Sequence, residues 1–211
     1  LVFGMNIAMS SNIARLIGQK DTETVKRVTL HGIFMAVVAS AIIAILTYFA
    51  LDPIFAALGA GPDTMPMIRD YMPIWLIGSV VLAAPVNGNS AVRAAGDSFW
   101  PAIVMTTSAL VNLILDPILI FGKFGFPAMG VKGAAVATLC GYSAAMILGL
   151  YVLMIRKKLL SFEHLYLDQI GDTFKRLIVI AAPAGITNII GPLTLAILTA
   201  ILASYSTEAV A

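Results

Sequence analysis

Five stretches of this sequence, 30–51, 71–92, 99–121, 131–155 and 177–202, are long, almost wholly apolar, and separated by polar connections. A hydrocarbon core about 30 Å thick is crossed by roughly 20 helical residues, so each reads as a membrane-spanning helix. Residues 1–18 are more mildly apolar, with Gly4, Asn6, Ser10, Ser11 and Asn12 interspersed, and read as the tail of a further span that packs closely on its neighbours. The expectation is an all-α polytopic membrane protein with about six spans. Charged residues make up 11% of the chain, against about a quarter in soluble domains. The chain does not begin with Met and stops soon after an apolar run, and so reads as a fragment cut at both ends. A net charge of +2 carries no nucleic-acid signature, and the one cysteine, Cys140, offers neither a disulfide nor a metal framework.

The connections add detail. Asp52-Pro53 ends or kinks the span before it, and Gly61-Pro62 with Pro66 mark a loop over 59–70. Trp75 and Trp100 fit interfacial aromatic positions, and Pro73 and Pro85 predict irregularity in 71–92. Residues 133–137 are nearly all small, which lets a neighbouring helix approach. Residues 161–173 form an amphipathic surface helix or linker, and Pro183 and Gly191-Pro192 break the last span. The spans divide the thirteen Lys and Arg residues ten to three: Arg69, Lys123 and Lys132 fall in one set of loops and the rest in the other. The positive-inside rule makes loops 19–28, 93–98 and 156–176 cytoplasmic.

Residues 109–122, ALVNLILDPILIFG, are the chemically unusual part. Asn112 and Asp116 are four apart and share one helical face. Pro117 lacks an N–H and leaves the carbonyl of Leu113 without its helical partner. Of eleven acidic residues, nine lie in loops or at ends and Asp52 is interfacial, so Asp116 alone reads as deep. An Asp at the centre of a lipid-exposed helix costs about 2.5–3.5 kcal/mol on insertion scales, and such a residue marks an ion or proton path by default. The plainer alternative is a polar contact that ties two helices together. Asn87, Asn89, Thr138, Thr187 and Asn188 are further polar groups within spans, each more often helix glue or a bond back to its own helix when taken alone. His31 and His164 have no second His or Cys at ligand spacing and read as interfacial. The ten Met residues are scattered filler.

Asn112-Leu-Ile-Leu-Asp116-Pro117-Ile-Leu-Ile-Phe-Gly122, then Phe126-Pro-Ala-Met-Gly130-Val-Lys-Gly133-Ala-Ala-Val-Ala-Thr138, resembles the central signature of the multidrug and toxic compound extrusion (MATE) transporters. Arg93-Ala-Ala-Gly96-Asp97 and Ile17-Gly18-Gln19-Lys20-Asp21 are similar to two further pieces in the same order. The resemblance implies a fold of twelve helices in two six-helix lobes, with this chain running from within helix 2 to the end of helix 7. Residues 1–155 would then belong to the N-terminal lobe, 156–176 to a cytoplasmic linker, and 177–211 to the first helix of the second lobe. The DNA-damage-inducible (DinF-like) branch is favoured. Its N-lobe cation site, carried over residue by residue, implies Asn112 and Asp116 on helix 5, Thr138 on helix 6, and Asn89 on helix 4 with Asn87 as fallback. The other main branch carries an acid on helix 7, where 177–202 has none and Asn188 stands mid-helix.

By this resemblance the function is secondary antiport: export of drugs or organic cations in exchange for H⁺ or Na⁺ by alternating access, without enzymatic chemistry or a cofactor. Na⁺ or H⁺ would bind at Asp116, and Pro117, Pro85 and Pro192 would ease helix bending. The implied setting is the bacterial inner membrane, the partners small amphipathic cations and the lipid bilayer, and the state a monomer. One alternative is a flippase for lipid-linked oligosaccharide or peptidoglycan precursors, which would call for basic residues at depth that the sequence lacks. Another is a structural membrane subunit, in which Asp116 is replaceable by Asn. An intramembrane enzyme would need a nucleophile with a base, paired acids or His ligands, which one deep acid and two peripheral His do not supply.

Overall fold

The computed structural model describes residues 2–161 and 169–205. These described residues form seven α-helices: α1 (Val2–Gly18), α2 (Thr22–Phe49), α3 (Leu51–Ala57), α4 (Met65–Ala94), α5 (Phe99–Phe121), α6 (Val131–Tyr151) and α7 (Ile170–Tyr205). A 3₁₀ turn at Lys123–Gly125 joins α5 to α6, and a π turn at Val152–Arg156 extends α6. Among the described residues, five helices are long and apolar enough to cross a membrane: Thr22–Phe49, Met65–Ala94, Phe99–Phe121, Val131–Arg156 and Ile170–Thr199. The 17-residue α1 packs among them as the sixth expected element.

The expected span 99–121 coincides with α5, while α2, α4 and α7 start earlier than their apolar runs. For α2 the cause is a cap: the Asp21 carboxylate accepts from the Thr24 backbone N–H at 3.1 Å, drawing 22–29 into the helix. Lys20 takes a left-handed conformation (φ 59°) while Asp21 N–H bonds to Leu16 O at 3.1 Å, which turns the chain tightly from α1 to α2. Pro66 sits in the first turn of α4, where a missing N–H costs no intrahelical bond. The expected breaks at Pro183 and Pro192 are corrected, because α7 is continuous through both, as α4 is through Pro73 and Pro85. In a membrane helix, neighbours and local adjustment re-satisfy the backbone groups that a proline frees. Most of the expected 161–173 amphipathic segment, His164 included, lies outside the described residues.

Small residues set the packing. An added methyl at Gly133 would lie 2.6 Å from Leu119 O, and one at Gly141 2.7 Å from Ser108 O, so α5 and α6 run antiparallel at close range. Gly78 faces Leu139 and Tyr142 while Gly88 faces Leu153, so α4 and α6 run parallel. Gly4 lets α1 approach α7, where an added methyl would meet Ala181 O at 2.5 Å. The shared core includes Met9, Ile13, Val28, Val92, Val104, Leu153 and Leu177. Outside it, Phe34, Ile42 and Leu46 on α2, Leu113 and Ile114 on α5, and Val179 and Ile186 on α7 are exposed, an apolar coat suited to acyl chains.

One end of the bundle collects the larger basic group and is tied by polar contacts. Lys157 Nζ meets Asp97 Oδ2 at 2.5 Å, the Arg156 guanidinium lies 5.3 Å from the Trp100 ring centre, and Arg93 reaches Asn6 Oδ1 at 3.4 Å. Arg27 bonds Gln169, and the buried His31 Nδ1 meets Thr173 Oγ1 at 3.1 Å, fastening α2 to the start of α7. Lys157 holds the Asp97 carboxyl below the usual range, helped by the backbone N–H groups of Trp100 and Phe99. At the opposite end Arg69 grips Asp52 through two bonds of 3.0 and 2.8 Å, and this pairing lowers the Asp52 carboxyl likewise.

Candidate functional site

Gly122, with φ +70°, closes α5 in a left-handed cap that a side chain would resist. The chain then folds back, and Met129 N–H and Gly130 N–H bond Leu119 O and Ile120 O at 2.9 and 3.2 Å. These bonds satisfy carbonyls at the C-terminal end of α5 and start α6 alongside it. With Gly133 and Gly141 admitting the α5 backbone, Asn112 reaches across to α6.

Asn112, Asp116 and Thr138 thereby meet, all half-buried. In the amide orientation that satisfies both ends, Asn112 Nδ2 donates to Asp116 Oδ2 at 3.0 Å. Its Oδ1 then faces Thr138 Oγ1 and the Thr138 backbone N, each at 3.2 Å. The Thr138 hydroxyl lies 2.9 Å from Ala134 O, a carbonyl of its own helix. The cluster is a carboxylate, an amide that presents either a donor or an oxygen, and a hydroxyl. This is an oxygen-rich set able to take a proton or a hard monovalent cation.

Asp116 lies five residues before Phe121, the last residue of α5, so it is nearer the end opposite the basic cluster. One expectation about the cluster needs correction. Asn89 does not join it. With Gly78 against the Leu139 backbone, the α4 residue level with Thr138 is near Ile77. Asn89 lies about twelve residues further along, about 18 Å at 1.5 Å per residue. It is 4% exposed beside the basic end, and its Nδ2 has no partner among the described residues. The fallback, Asn87, is fully buried at the same end and donates to Ala83 O at 2.9 Å, its Oδ1 unpartnered among the described residues. Asn188 is exposed and donates to Ala184 O of its own helix at 2.7 Å. Pro117 follows Asp116 within α5, while Pro85 and Pro192 sit elsewhere, in α4 and α7. A further polar group is Asn6, which the sequence marks only as a close-packing residue; its amide donates to Val86 O at 2.8 Å and ties α1 to α4.

The MatE family profile matches residues 1–118, which takes in Asn112, Asp116 and Pro117 and stops before Thr138. The chain belongs to the MatE family. A relative over its whole length is the FAD transporter of Shewanella oneidensis, 35% identical across 211 residues, covering 100% of this chain and 47% of that protein. The probable multidrug resistance protein NorM of Bacillus cereus is 26% identical, covering 99% of this chain and 46% of that protein. Among solved structures, the Vibrio cholerae MATE transporter VcmN in its bent form superposes with a TM-score of 0.84 at 29% identity, covering 100% of this chain and 47% of that one. The chain spans about half the length of the curated relatives it matches. It is a multi-pass membrane protein, part of the larger all-helical MATE fold.

Proposed function

We propose that this chain is part of a secondary antiporter of the bacterial inner membrane that exports a small molecule in exchange for H⁺ or Na⁺, and that Asp116 carries the coupling ion. The observation that carries the reading is the Asp116–Asn112–Thr138 cluster across the α5–α6 contact. With Asp116 ionised, the Asn112 NH₂ faces it. A proton or Na⁺ on the carboxylate calls instead for an oxygen, so the amide turns over and Asn112 gives up its present hold on Thr138. For Na⁺ the ligands would be Asp116, Asn112 Oδ1 and Thr138 Oγ1, completed by water. Occupancy thus changes the contact between two helices, and Pro117, which lacks the N–H that would bond Leu113 O, lowers the cost of bending α5 there.

The substrate has two candidates. Drug-like organic cations fit the names of the NorM relatives, whereas the relative with 35% identity over the whole chain is an FAD transporter, which favours a flavin dinucleotide. Full-length protein in proteoliposomes, loaded in turn with a cationic dye and with FAD, tests both. A pH gradient and a Na⁺ gradient are imposed separately. Export of one solute under at least one gradient is expected; export of neither under either gradient contradicts the proposal.

A further inference from the structure

At the basic end, α1 and α7 part to leave a crevice of about 320 Å³ lined by Asn12, Arg15, Leu16, Gln19 and Arg176. The antiparallel contact of Gly4 with Ala181 and Gly185 sets this register and brings Arg176 opposite the Asn12–Arg15 turn. Asn12, Arg15 and Gln19 fall at i, i+3 and i+7, one stripe of α1. No carboxylate lines the crevice among the described residues. Asp21 senses the charge of Arg176, yet its hydrogen bond goes to the Thr24 backbone, and it caps α2 rather than closing an ion pair. Asp172, one turn before Arg176, is not among the lining residues.

We propose that this crevice binds a phosphate group. Two guanidiniums offer five N–H donors each, and Gln19 adds an amide. Asn12 keeps one amide N–H free after donating to Ala8 O at 2.9 Å. A single carboxylate has too few lone pairs for that many donors, whereas a phosphate has three or four acceptor oxygens, and planar guanidiniums suit it. The site lies where the anionic headgroups of a cytoplasmic leaflet would lie. The phosphate therefore has two sources, a lipid headgroup or a phosphorylated solute in the water beside it. The proposal is independent of Asp116 and of which solute is exported.

Full-length protein in neutral detergent is titrated with phosphatidylglycerol, with phosphatidylcholine and with inorganic pyrophosphate while its thermal transition is followed. The Arg15→Gln/Arg176→Gln double variant is expected to bind the active probe at least about tenfold more weakly. Lys175→Gln, the loss of one positive charge on an exposed neighbour, keeps wild-type affinity. The substituted side chains are exposed, so ligand-free transitions should match and separate lost binding from lost folding. An arginine-dependent response to phosphatidylglycerol alone supports the site with a lipid headgroup as its source. A response to pyrophosphate as well supports it with a phosphorylated solute. The proposal is overturned if neither anionic probe shifts the transition, if the double variant binds like wild type, or if Lys175→Gln weakens binding equally.

Discussion

An aspartate that shares its turn with an asparagine, a proline and nothing but aliphatic neighbours declares itself by contrast, and Asp116 was legible in the sequence for that reason. Its bond to Asn112 follows from spacing within one helix. Asn89 stands apart because spacing along one helix carries no information about its register against another. Only the glycine contacts of α4 with α6 reveal the offset of about 18 Å from Thr138. Nor did the sequence indicate that Asp97 is clamped, since its partner Lys157 is sixty residues away. The clamp has a definite pH dependence. A carboxyl held below its ordinary pKa stabilises the fold fully above that ordinary value, near 3.9, and loses the contribution as pH falls through its lower folded value. The Phe99 and Trp100 amides, which bond Asp97 Oδ1 at 2.9 and 3.3 Å, should keep their hydrogen-exchange protection between pH 8 and pH 5 once intrinsic rates are corrected. Protection that decays across that window would refute the clamp.

At the scale of elements, apolar runs located the helices well because a spanning segment must be both apolar and about 20 residues long. Their starts were less legible, since a polar first turn held by Asp21 looks like loop until its cap is seen. The prolines misled for the opposite reason: in α7 the helix continues through residues that would end one in water. The small residues of 133–137 suit a close-packing surface, and Gly133 among them lies against the backbone of Leu119 and Ile120 on α5. Gly141→Leu would drive a side chain against Ser108 O and Asn112, where an added methyl already lies 2.7 and 3.5 Å from its neighbours. Overpacking of this kind costs about 1–3 kcal/mol. A lowered thermal transition in detergent is expected for Gly141→Leu, whereas Gly171→Ala, with nothing near its added methyl, should leave the transition unchanged. Equal transitions for both would mean that the α5–α6 contact is looser than described.

The described residues form one all-helical bundle with a basic end and a less basic end, and the chain spans about half the length of the MatE relatives it matches. That asymmetry predicts an orientation, with the basic end cytoplasmic. Cysteines introduced at Lys20 and Lys123, in a Cys140→Ala background, should react differently with a membrane-impermeant thiol reagent added to intact cells. The one at 123 should be labelled and the one at 20 protected, and the reverse pattern would invert the assignment. What links the two ends is the ion proposed at Asp116, whose occupancy would be felt through the α5–α6 contact. The most direct test is gradient-driven export by Asp116→Asn, a nearly isosteric change, with full-length protein reconstituted at wild-type abundance and thermal stability. The variant should lose export under an imposed pH or Na⁺ gradient; export at the wild-type rate would show that the coupling ion does not use Asp116.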